Sequence, residues 1–450
     1  MLFRKFYKRL VSWKNEERKK ALLVSGARQT GKTSIIRKFG KEQYSVLAEI
    51  NFFETPQAKQ IFKGNLDAES IILGITTLLN KELIPGKTLV FFDEIQECPE
   101  ARTAIKFLVE DGRFDYIESG SLLGVNSGEA VSYPVGFEIF SRMYPMDFEE
   151  FAIATGATET TFNYLRSALE ARSPVTDAIH EAMCRLFRLY IMVGGMPDVV
   201  QEFVNSSDMA RVISKQKDIL QAYRLDIVKY AGQNKARVRD IFDRIPAQLA
   251  EKNRRFSLAS IAKSARFSRY EDSFVWLWDA GVAIPCFNAA SPELPLKLNE
   301  QRSLLKLFMA DTGLLCASCL DNVQLGILNG DLSINEGGIL ENVFAQIFAE
   351  KGFALHYFNK KAQGKVDFLL NYRGKCLPVE IKSGAMYRQH ASLDNMMSVP
   401  GWNLDKAVVF CRGNIEDAGR VLYLPWYMSM FMDSAKEDWQ RVPLDIPKLP

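Results

Sequence analysis

Histidine is scarce in this sequence and its cysteines are unorganised. The three histidines, His180, His356 and His390, lie far apart, so neither a Ser-His-Asp nor a Cys-His centre is expected. The seven cysteines, Cys98, Cys184, Cys286, Cys316, Cys319, Cys376 and Cys411, show no framework spacing. An odd, scattered set fits free thiols in a reducing compartment. Cys316 and Cys319 make one C-x-x-C pair, but no second Cys or His pair stands at zinc-site spacing, so the pair reads as a helix face. No run of about 18 uncharged apolar residues exists to cross a bilayer. The first ten residues, Met1 to Leu10, lack the apolar stretch and small-residue cleavage site of a secretory signal. The expected home is the cytoplasm, with no membrane partner. A net charge of +3 carries no global signal of a polyanionic partner. What the chain does have is 450 residues, 47% of them hydrophobic and 25% charged, enough for about three soluble domains.

The most informative segment is Gly26-Ala27-Arg28-Gln29-Thr30-Gly31-Lys32-Thr33, followed by Ser34. It has the form glycine, four residues, Gly-Lys-Thr, and its context fits. An apolar stretch, Ala21 to Val24, precedes it as a buried parallel strand, and Ser34 to Phe39 reads as a helix start. Glycines let backbone N–H groups turn inward around phosphate oxygens, and the helix N-terminus adds a favourable field. Lys32 is then placed to reach β- and γ-phosphates and the Thr33 hydroxyl to bind Mg²⁺. Roughly 60 residues on, Thr88 to Phe92 run apolar into Asp93 and Glu94. The expectation is the strand beside the loop, with Asp93 in the Mg²⁺ shell and Glu94 polarising the attacking water.

Residues 1–150 alternate strand-like and helix-like patterns, which implies a mostly parallel sheet with helices on both faces. Strands are expected at Ala21–Val24, Val46–Asn51, Thr88–Asp93 and Tyr116–Ser119, with Ser119 or Ser121 placed to sense the γ-phosphate. Residues 151–235 turn helical, a lid, with a break at Gly194-Gly195-Met196-Pro197. Residues 236–315 read as a winged helix: helices at Val238–Leu249, Ser257–Ser264 and Arg269–Ala280, then short strands at Val282–Phe287, Leu294–Asn299 and Leu305–Asp311. From Lys229 to Tyr270 there are 11 Lys/Arg against three acids, Asp240, Asp243 and Glu251, so DNA is the partner to test for this region.

The last domain, 330–450, opens with a helix-like segment from Gly337 to Phe348. A hairpin follows: Val366 to Leu370, an Arg373-Gly374 turn, and Leu377 to Lys382. Alternation puts Glu380 and Lys382 on one face, with Asp367 beside Glu380 on the adjacent strand. Two carboxylates and a lysine so arranged suit a divalent cation and an activated water, the parts phosphodiester hydrolysis needs. Glu341 on the preceding helix is a further candidate ligand.

Taken together, these motifs resemble a prokaryotic family of AAA-type ATPases with a C-terminal domain of unknown function numbered 4143. Tyr144 to Phe151, Gly194 to Pro197 and Asp311 to Leu314 match further family signatures. Phe137 follows Gly136 where many relatives carry Arg, leaving Arg142 as the candidate substitute. The C-terminal part looks like the PD-(D/E)xK nuclease superfamily, with Glu341, Asp367, Glu380 and Lys382 on its motif positions. The resemblance implies an α/β fold class: a P-loop NTPase parallel sheet with a helical lid, a winged-helix middle domain and an α/β restriction-endonuclease-like C-terminal domain. It implies ATP and Mg²⁺ as ligands, and AAA-type proteins often assemble as homo-oligomers. The alternative reading is a nucleotide-dependent switch whose last domain binds DNA or another partner without cutting it.

Overall fold

The computed structural model of the chain describes residues 2–17, 19–120, 134–251, 254–258, 261, 266–319, 336–361 and 363–434. In the N-terminal lobe, α1 (Phe6–Lys14) is followed by β1 (Ala21–Ser25), α2 (Lys32–Gln43), β2 (Val46–Asn51), α3 (Ala68–Leu79), β3 (Thr88–Asp93), α4 (Pro99–Asp111), β4 (Asp115–Gly120) and β5 (Glu138–Arg142). The five strands are parallel, in the order β2-β3-β4-β1-β5. β1 and β3 are buried along their whole length, as strands covered on both faces are. One core packs Ile71, Ile75, Ile105 and Phe92. The other packs Leu10, Trp13, Ile36, Phe39 and Phe91.

All four expected strands are present. β4 lies between β1 and β3 and pairs Ser119 with Asp93. The fifth strand was not legible because four of its residues are half-buried, Phe140 is exposed, and no apolar run marks it. Ser121 lies outside the described residues.

A helical stretch follows: α5 (Phe148–Ala154), α6 (Glu159–Glu170), α7 (Asp177–Val193), α8 (Pro197–Ser206) and α9 (Met209–Tyr230). α7 stops before Gly194 and α8 starts on Pro197, so the Gly-Gly-Met-Pro break falls where its backbone chemistry places it.

The middle region holds α10 (Lys235–Ala250), α11 (Glu271–Asp279), β6 (Ala283–Ala289), β7 (Glu300–Met309) and α12 (Thr312–Ser318). Most of the expected helix at 257–264 lies outside the described residues. Leu296–Asn299 is a 3-10 turn rather than a strand. The β6–β7 hairpin is no free wing either. β6 pairs in parallel with β8 (His356–Lys360), with Phe287 opposite His356.

The C-terminal region adds α13 (Glu336–Glu350), β9 (Gly364–Tyr372), β10 (Lys375–Ile381), α14 (Ala391–Met397), β11 (Ala407–Cys411), β12 (Glu416–Ala418) and β13 (Val421–Pro425). The β9–β10 turn, Arg373-Gly374, has φ of 52° and 71°, the left-handed pair of a two-residue hairpin. One mixed sheet of eight strands runs β12-β13-β11-β10-β9-β8-β6-β7. One apolar core covers one face, from Phe148 and Phe187 through Phe242 and Phe308 to Phe344 and Trp426, and a smaller one with Leu369, Met396 and Val409 covers the other. The middle hairpin and the C-terminal region thus share one sheet and one core.

Candidate nucleotide-binding and carboxylate sites

The loop between β1 and α2 takes its shape from residues that tolerate left-handed backbone. Gly26 has φ of 150°, and a Cβ there would lie 2.2 Å from the Met143 carbonyl oxygen. Gly31, at φ 91°, caps α2. Gln29 is left-handed at φ 64° and exposed. Ala27 and Thr30 are buried, and the Thr30 hydroxyl donates to the Ala27 carbonyl at 2.9 Å. Lys32 folds back on the loop, its Nζ donating to the Gly26 and Ala27 carbonyls at 2.9 and 2.8 Å. Burial pulls its pKa down to about 8, against the opposing influence of Glu94 and Asp93. Ser34 is exposed on the first turn of α2.

The ends of the other strands supply the oxygen set. The Thr33 hydroxyl lies 3.2 and 3.1 Å from the two Asp93 carboxylate oxygens. Asn51, at the end of β2, donates to Asp93 at 3.1 Å, and the Ser119 hydroxyl at the end of β4 also donates to it. Glu94 sits at left-handed φ of 54° just past β3, its carboxylate held by the Gln96 amide. Thr33, Asp93 and Ser119 therefore converge as the motifs require. Asn51 was missed, although a polar residue ending an apolar strand is a readable signal.

Two more groups fix the loop from outside it. Arg4 donates to the Thr30 carbonyl at 2.7 Å and pairs with Glu150 at 3.1 Å. Arg28 pairs with Asp226 of α9 at 3.0 Å, while the Tyr223 hydroxyl donates to the Arg28 carbonyl at 3.1 Å. Arg142 is committed elsewhere: it donates to the carbonyls of Trp278 and, at 3.2 Å, Asp279 at the end of α11.

The family-like signatures meet at one buried joint. The Met146 N–H donates to the Gly195 carbonyl at 2.6 Å, and the Gly195 N–H to Asp311 at 2.6 Å. A Cβ on Gly195 would lie 2.0 Å from the Met146 oxygen, and one on Gly194 2.2 Å from Asp311. Tyr190 bridges Met146 and Gln346, tying α7 to α13. Among the described residues, one set of three has carboxylate oxygens all within 4.8 Å of one another: Asp147, Glu150 and Glu350. Arg4, Lys5 and Lys351 answer it, so it fastens the N-terminal arm to α5 and α13.

At the C-terminal site Asp367 and Glu380 are buried on neighbouring strands. Asp367 accepts the Ile381 N–H at 3.0 Å, and Glu380 pairs with Lys382 at 3.0 Å. The second Glu380 oxygen is buried without a partner. Glu341 is fully buried but is not free to act as a ligand. Its oxygens meet Lys306 of β7 at 2.8 Å and Arg254. Burial opposes its charge, yet the two cations hold its carboxyl at about 2. Burial, with Glu341 and Glu380 nearby, pushes Asp367 well above the usual carboxylate range. Neither cation was foreseen, though Lys306 interrupts an otherwise apolar run. Cys316 is buried in α12 and Cys319 follows its end, both as thiols.

Residues 18–152 match an AAA domain, residues 184–325 a domain of unknown function (DUF8612) and residues 336–427 a domain of unknown function (DUF4143). No curated protein matches the chain. Among solved structures it is similar to C. elegans PCH-2, at 15% identity over 49% of this chain and 63% of that one, less than two thirds of its length, with a TM-score of 0.25. It is also similar to the Aeropyrum pernix ORC1 protein in complex with DNA, at 12% identity over 73% and 91% of the two chains and a TM-score of 0.25. A third is the Thermotoga maritima RuvB Holliday junction branch migration motor, at 14% identity over 63% and 89% and a TM-score of 0.29. The chain thus carries a match to an AAA domain on its phosphate-loop sheet and a match to DUF4143 at its C-terminal end.

Proposed function

We propose that the N-terminal site binds ATP and hydrolyses it. The observation that carries this is the Thr33 hydroxyl 3.1 Å from the Asp93 carboxylate, at the mouth of a glycine-shaped loop that already holds Lys32. That hard-oxygen pair suits Mg²⁺, which when bound neutralises charge on the β- and γ-phosphates. The N–H groups from Gly26 to Ser34 and the start of α2 face the phosphates. Lys32 exchanges two carbonyl partners for phosphate oxygens. Glu94 orients and polarises the attacking water, and Ser119, which donates to Asp93, senses the γ-phosphate. Calorimetry with ATP and a phosphate-release assay test this. Lys32→Ala should lose binding, and Glu94→Gln should keep binding while losing about 100-fold or more in turnover. Wild-type turnover in Glu94→Gln would remove the hydrolytic reading.

A second reading concerns the C-terminal carboxylates. The unpartnered, buried Glu380 oxygen beside Asp367 and Lys382 favours a Mg²⁺-dependent phosphodiester-hydrolysing site. Asp367 and Glu380 would hold the ion, and Lys382 would orient the water. Arg254 and exposed Arg255 bring the basic stretch next to this site, which makes DNA the substrate to test. The recognition role expected of the third middle-region helix has less support. α11 carries Glu271, Asp272 and Asp279 and no Lys or Arg, and the Gly281 that follows it packs on Ala27 of the phosphate loop. With Mg²⁺ and DNA, cleavage lost in Lys382→Ala at unchanged ATP turnover supports a nuclease. DNA binding without cleavage supports the nucleotide-dependent switch.

A further inference from the structure

The C-terminal carboxylates carry an arrangement that a resting divalent-cation site does not need. Glu341, Asp367 and Glu380 face four basic side chains, Lys306, Arg254, Lys365 and Lys382, so no net negative charge draws a divalent cation in. Both Glu341 oxygens are taken, one by Lys306 and one by Arg254. Among the described residues, Asp147, Glu150 and Glu350 bring carboxylate oxygens within 4.8 Å of one another, and Glu341, Asp367 and Glu380 do not. The two cations differ in one respect. The Lys306 side chain is 0% exposed and stacks its ammonium on the Tyr357 ring, 4.8 Å from the centroid, while the Arg254 side chain is 23% exposed. One is built in; the other has a way out.

The chain also shapes a seat for Arg254. A Cβ on Gly337 would lie 2.0 Å from an Arg254 guanidinium nitrogen, and one on Gly338 would lie 2.3 Å from the Leu249 carbonyl oxygen. The glycine pair that opens α13 thus leaves room for this guanidinium and for the end of α10. Arg254 holds a left-handed backbone, φ 49°, which an L-residue keeps only where contacts outweigh the strain. Its contact with Glu341 is of that kind.

Taking the carboxylate set as a divalent-cation site, as in the reading above, we propose that Arg254 is a removable plug: seated, it takes Glu341 out of the ligand set, and the site accepts a divalent cation tightly only when Arg254 leaves. Lys306 stays behind Glu341 in both states. Withdrawal frees one Glu341 oxygen, takes one positive charge out of the set, and lets Glu341, Asp367 and Glu380 close on one ion.

The test uses the full chain and Mn²⁺ without nucleotide, followed by calorimetry and by the electron-spin signal of free Mn²⁺. Arg254→Gln should bind one Mn²⁺ at the C-terminal site at least about tenfold more tightly than wild type. Glu380→Gln in the Arg254→Gln background should erase that gain. Gly337→Ala, which crowds the guanidinium out of its seat while keeping its charge, should raise affinity in the same direction, and circular dichroism checks that each variant folds. Equal Mn²⁺ affinity in wild type and Arg254→Gln overturns the plug. So does a gain that survives Glu380→Gln. The nuclease reading fails separately. Tight Mn²⁺ binding by Arg254→Gln with no DNA cleavage removes that reading and leaves the plug standing. Cleavage by a wild type whose metal affinity Arg254→Gln does not change does the reverse.

Discussion

Lys306 and Glu341 form a fully buried ion pair, Nζ to Oε2 at 2.8 Å, that joins strand β7 to helix α13. A pair of this kind is costly to break and cheap to replace, because what hurts is the charge left alone. Lys306→Met is expected to lower stability by about 3–5 kcal/mol. Lys306→Met combined with Glu341→Leu should cost less than Lys306→Met alone, since Arg254, being partly exposed, can turn to water. Urea unfolding of wild type and the two variants measures this, and a larger loss in the double variant than in Lys306→Met would show that the pair is not coupled.

The buried joint of the signatures gives a steric prediction. Gly195→Ala would place a methyl group 2.0 Å from the Met146 carbonyl oxygen and 2.7 Å from its nitrogen. Backbone on both sides cannot step away, so a loss of about 2–4 kcal/mol is expected. Gly64 has open space around it and no left-handed φ, so Gly64→Ala should stay within about 0.5 kcal/mol of wild type. Equal melting temperatures for the two variants would remove the joint as a structural element.

What the sequence made legible follows a physical line. Elements whose signal is local were readable: the strands ending at Asp93 and Ser119, the Arg373-Gly374 hairpin, the Gly194-Gly195 break. The contiguous letters from Gly26 to Gly31 likewise form the loop that leads into α2, and Val379 to Ile381 the end of β10. Partners brought by distant chain were not readable. Arg4 reaches the loop from the N-terminal arm, Asp226 from α9, and Lys306 and Arg254 reach Glu341 from the middle region. The middle region itself was read as a separate unit because its helices and short strands are locally complete. Only the pairing of Phe287 with His356, invisible to any local pattern, makes its hairpin part of the larger sheet.

Asn51 and Ser119 hold Asp93 from two neighbouring strands. Groups that orient a ligand carboxylate typically govern activity by 10–100-fold. Asn51→Ala and Ser119→Ala should each lower ATP turnover by about tenfold while nucleotide affinity stays within about threefold. Phosphate release and calorimetry separate the two quantities. Unchanged turnover in both variants would leave Asp93 without a role as an oriented ligand.

Lys32 yields a prediction about protons. Burial holds its pKa at about 8, against Glu94 and Asp93, while its ammonium donates to the Gly26 and Ala27 carbonyls. Near pH 8 roughly half of the molecules therefore carry a neutral Lys32. A triphosphate in the loop brings several negative charges to the same nitrogen and raises its pKa again. The bound form holds more protons than the free form, so binding takes up protons, and affinity falls as pH rises through 8 and 9. Uptake should approach about half a proton per site at pH 8 and vanish near pH 6, where Lys32 is charged in both states. Titrations at pH 8 in two buffers of different ionisation enthalpy read the uptake directly. Lys32→Arg, charged throughout, should show none from this position. Proton release in the wild type, or the same uptake in Lys32→Arg, would show that the nitrogen facing the phosphates is not the titrating group.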